Sequence, residues 1–146
     1  MSKLGRANWK YVMIEAKKEY SGYRRNNKII NQLVEITNIL PLYIKQTNIN
    51  INNGSLHLVK IVDTIELFIL GINNINQFIK QNMSENDKYN QDLYNVKIHL
   101  LSIMKGIEGA KNNNDYFMLN DLLEYELTDN LTQWKLKILP RLKMIA

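Results

Sequence analysis

The chain has 146 residues, a net charge of +5, two prolines and no cysteine. That length suits one domain with a sizeable core, and the missing thiols exclude a disulfide framework, a cysteine nucleophile and cysteine-ligated zinc or iron–sulfur sites. No window reaches the ~20 apolar residues of a membrane-spanning helix, and the N-terminus lacks a signal-peptide run, so a cytoplasmic protein with no membrane partner is expected.

The N-terminal stretch alternates basic and aromatic residues. Trp9, Met13, Ala16, Tyr20 and Tyr23 keep a helical stripe among Lys10, Lys17, Lys18, Arg24 and Arg25. The spacing predicts a helix over residues 7–20 that Ser21-Gly22 interrupts; one long helix over 7–46 is the alternative. A second helix is predicted over 25–47, with Ile29, Leu33, Ile36, Leu40 and Tyr43 on its stripe. Pro41 lies inside it and should kink it near residues 36–40, because proline removes an amide donor. NININNG (48–54) is the turn.

Residues 55–81 step by threes and fours through Leu58, Ile61, Ile65, Phe68, Ile72, Ile75 and Ile79. That heptad spacing predicts a helix in knobs-into-holes packing. Ser84-Glu85-Asn86-Asp87 is a helix-start signal. The helix after it, to about Lys111, carries Tyr89, Leu93, Val96, Leu100, Ile103, Ile107 and Ala110, and the two heptad stripes are expected to face each other. A turn at 112–114 then leads into a last helix, capped by Asn114 or Asp115. Its stripe is Tyr116, Leu119, Leu123, Leu127, Leu131, Trp134, Ile138, Leu142 and Ile145, and Pro140 should kink or end it near Leu139. Residues 39–54 lie over 100–115 at an offset of 61, which two similar helical hairpins would explain. The whole reads as a single all-α domain, residues 1–146: an antiparallel up-down four-helix bundle over 25–144 with an additional N-terminal helix over 1–23.

Function is less legible. No nucleotide-binding, nucleophile-elbow or zincin motif occurs. His57 and His99 have no partner at metal-ligand spacing, and no cofactor is implied. Asp121, Glu124 and Glu126 could do acid–base work only if burial separated their titrations; a solvated face or a docking patch is the plainer reading. The last helix sets Asp121, Glu124 and Asp129 beside a Leu and Trp stripe, with Leu122 and Tyr125 between the two faces. Acidic residues around apolar ones suit an amphipathic partner with basic flanks. Asp121, Leu122, Glu124, Tyr125 and Asp129 are therefore the candidate protein-docking residues, met by residues 7–23, by a second copy or by another protein. Trp9, Lys10, Lys17, Lys18, Arg24 and Arg25 are candidates for nucleic acid, since cations meet phosphates and rings stack on bases. An enzyme whose site the sequence does not spell out is the third reading.

The stretch NNNDYFMLNDLLEYELTDNLTQW also resembles a pattern, G-D-Y-x-x-L-A-D-L-L-E-Y-E-L-x-P-x-L-x-x-W, of small uncharacterised helical proteins from Gram-positive, often flagellated bacteria. Asp115, Tyr116, Leu119, Asp121 to Leu127, Leu131 and Trp134 match. Asn114 stands at its Gly, Asn120 at its Ala and Asp129 at its Pro. In size and build the chain is similar to flagellar export chaperones. What the resemblance implies is a helical bundle, since that family has no assigned activity; a non-enzymatic interaction protein of chaperone or adaptor type is the leading functional expectation.

Overall fold

The structure is a computed structural model and describes residues 26–47, 54–82 and 88–145. The expected N-terminal helix, residues 48–53 of the NININNG turn and the Ser84 start signal lie outside the described residues. Within them the chain is all-helical, with four helices and no strand. They are α1 (Asn26–Thr47), α2 (Gly54–Asn82), α3 (Lys88–Asn112) and α4 (residues 116–145).

The apolar stripes decide the packing. Ile30, Leu33, Ile36 and Leu40 of α1 are buried, as are Ile61, Ile65, Phe68, Ile72 and Ile75 of α2. Leu100, Ile103 and Ile107 of α3 join Leu123, Leu127, Leu131, Trp134, Ile138 and Leu142 of α4 in the same core cluster. Each such side chain contributes roughly 1.5–3 kcal/mol on burial. Thr37 and Thr64, also buried, donate to the Val34 and Lys60 carbonyls of their own helices. α1 runs through Pro41 as one helix.

The two heptad stripes, Leu58 to Ile75 and Leu93 to Ala110, join one core. α2 packs chiefly on α1 and α3 chiefly on α4, while direct packing between α2 and α3 is slight. α4 lies against both α1 and α3, and across the core Trp134 reaches Phe68 of α2 edge-on at 5.2 Å. At an offset of 61 the starts of α1 and α2 fall one residue before those of α3 and α4. Yet buried Leu33 and Leu40 then fall on exposed Tyr94 and Leu101, so the two hairpins present different faces.

The junction from α3 to α4 is built from its asparagines. Asn114 takes the left-handed conformation, φ 54°. Its amide donates to Lys111 O at 3.2 Å, and the Asp115 amide donates to Ala110 O at 2.8 Å. That pair of bonds is a Schellman cap, in which Gly or Asn supplies the left-handed residue. The Asp115 carboxylate then caps α4, accepting from the Met118 amide at 3.1 Å.

α4 runs to Ile145 and does not stop at Pro140. Two stretches of it are π-helical, Leu122–Leu127 and Trp134–Ile138. In the second, the Leu139 amide donates to Trp134 O, five residues back. The wider turn therefore opens just ahead of Pro140, whose missing amide would otherwise break an α-helix.

Candidate functional site

The acidic, apolar stretch picked out by sequence forms the outer face of α4. Asp121, Glu124, Glu126 and Asp129 are all exposed. Met118, Asp121, Leu122, Tyr125 and Glu126 line an open recess of about 420 Å³. The first π segment, LLEYEL, supplies three of these five. Glu124 and Asp129 do not line it; the Asp129 carboxylate accepts instead from Gln133 Nε2 at 3.1 Å.

Leu122 is not between the faces. It is 8% exposed and floors the recess, with its Cδ1 so near Gly106 of α3 that a Cβ there would sit 3.2 Å away. Gly106 thus allows the close approach of α3 and α4; Gly109 does not, since a Cβ there meets nothing within 4 Å. Tyr125 points to solvent. The carboxylates of this face all stand open to solvent. Among the described residues no three His, Asp or Glu side chains converge to hold a metal ion. The nucleic-acid candidates Trp9, Lys10, Lys17, Lys18, Arg24 and Arg25 lie outside the described residues.

Beneath this face sits a buried polar group that the periodicity skips. Asn130 is fully buried. Its Oδ1 accepts from Trp134 Nε1 at 2.9 Å. An indole nitrogen can only donate, which fixes the amide orientation. Nδ2 therefore faces Val96 O and His99 Nδ1, each at 3.1 Å, and His99 Nδ1 accepts. One asparagine satisfies the indole and ties α4 to α3. Its sequence signal was an Asn four residues before a Trp, on a stripe otherwise apolar. His57 has a comparable structural role, with Tyr43 Oη 2.8 Å from its Nδ1 and the rings edge-on.

No helix among the described residues is long and apolar enough to cross a membrane. Residues 28–137 match the family described as a domain of unknown function (DUF8042), and the chain belongs to that family. No curated protein and no solved structure matches it.

Proposed function

We propose that this is a non-enzymatic, cytoplasmic protein-interaction module of chaperone or adaptor type, an antiparallel up-down bundle with an N-terminal helix over residues 1–23. The outer face of α4 is its docking surface. One observation carries the reading: exposed Met118 and Tyr125 stand beside Asp121 and Glu126 around an open recess with an apolar floor, and exposed Phe117 precedes Met118 in the chain. A monomeric protein rarely exposes clustered large apolar side chains without a use for them. An acidic rim selects partners with basic flanks, because unlike charges steer encounter and fix register. A flagellar setting rests on the family resemblance alone.

The test is a pull-down from the native host with the wild type and a Met118→Ser/Tyr125→Ser variant. Leu122 is left in place because its loss would damage packing. The variant is expected to melt like the wild type and to lose its partners. If it retains every partner, α4 is not the docking surface.

A further inference from the structure

α4 carries Phe117, Tyr125, Leu136 and Met144, exposed by 83%, 68%, 67% and 87%. No other large apolar side chain among the described residues is as exposed. Their spacing is symmetric. Phe117 and Met144 are equally far from the point between Asn130 and Leu131, and so are Tyr125 and Leu136. Charge is reversed about the same point: Glu124 and Glu126 precede it by the distances at which Lys137 and Lys135 follow it. The π segments Leu122–Leu127 and Trp134–Ile138 lie on either side of it, so both halves rise alike.

Residues 115–129 hold five acids and no base, and residues 130–146 hold four bases and no acid. The helix dipole explains acids in the first turn and bases in the last, because its effect fades within one turn. It does not explain Glu124, Glu126, Lys135 and Lys137, which stand in the middle turns. A second copy turned end for end does explain them.

We propose that the occupant of this face is a second copy of the chain, with the two α4 helices antiparallel about a two-fold axis near residues 130 and 131. This rests on the docking face proposed above and names its partner. A two-fold interface must be complementary to itself, and this face is. Tyr125 meets Leu136 of the partner subunit, and Phe117 meets Met144 of the partner subunit. Glu124 and Glu126 lie across from Lys135 of the partner subunit and Lys137 of the partner subunit.

Sedimentation equilibrium of the full chain at about 100 µM is expected to give twice the 17.2 kDa chain mass. Glu124→Lys/Glu126→Lys and Lys135→Glu/Lys137→Glu should each weaken the dimer by roughly tenfold or more, and an equal mixture of the two should restore it. Because the chain has no cysteine, single cysteines report geometry cleanly. Thr132→Cys should form a disulfide between copies. Phe117→Cys alone should not, since antiparallel helices hold those two positions roughly 40 Å apart; Phe117→Cys mixed with Met144→Cys should. A wild type that stays monomeric at that concentration, or a Phe117→Cys protein that cross-links as readily as Thr132→Cys, overturns the dimer. Loss of host partners in Met118→Ser/Tyr125→Ser with a monomeric wild type would leave the docking face standing and this occupant refuted.

Discussion

Asn130 meets three groups at once, so replacing it should cost more than its size suggests. Asn130→Ala strands the Trp134 indole N–H and removes the tie to Val96 O and His99. A buried donor left without an acceptor costs about 1–3 kcal/mol, and the cavity adds to it. A loss of roughly 2–4 kcal/mol in urea unfolding is expected, and less than 1 kcal/mol would mean that water takes the place of the amide. Asn114 works in the opposite direction. It holds φ at 54°, a conformation that costs side chains with a Cβ about 1–2 kcal/mol, though asparagine less. Asn114→Gly should therefore raise stability by about 0.5–1 kcal/mol. Gly109→Ala should gain a similar amount, because a Cβ there meets nothing and Ala is the better helix former; Gly106→Ala should gain less, since Leu122 must give way.

α4 was legible as a long helix but not as a π-interrupted one. From Leu119 to Leu142 its stripe takes five steps of four residues and one of three. An α-helix turns in 3.6 residues, so such a run drifts off its face unless the helix widens. The two π segments absorb the excess, each acting as a one-residue insertion. The drift was there to be read in the spacing, and so was the reason Pro140 does not end the helix. A deletion tests it. Removing exposed Glu124 from the first π segment should return that turn to α geometry and keep Leu127, Leu131 and Trp134 on the core face. Removing Ser102 from the regular α3 rotates everything after it by about 100°. Thermal melting should show a folded Glu124 deletion and an unfolded Ser102 deletion; equal damage from both would contradict this account of the π turns.

The four helices share one core, and its positions were almost all named by heptad spacing alone. What spacing could not give was adjacency: an amphipathic stripe says which side is buried, not which neighbour covers it. Hence the spacing sets the α2 and α3 stripes in one core, while the main packing partner of α2 is α1 and that of α3 is α4. The stripes themselves are firm. Ile72→Ala or Leu100→Ala, both at fully buried sites, should each cost roughly 2–5 kcal/mol in chemical denaturation. The outer face of α4 was legible through its acids and Tyr125. Leu122 was misplaced because a residue at the edge of a stripe is assigned by its neighbour, here Gly106, which sequence cannot locate. Phe117, Leu136 and Met144 carry no sequence signal of their own, since apolar residues off a stripe stand out only when the core face is known. The most direct test of a docking face on α4 is site-specific photocross-linking in the native host. A photoreactive phenylalanine replaces Tyr125 in one protein and exposed Glu66 of α2 in another. The account predicts discrete protein adducts, to a second copy or to another protein, from position 125 and few from position 66. Equal yields at the two positions, or none at 125, would contradict it.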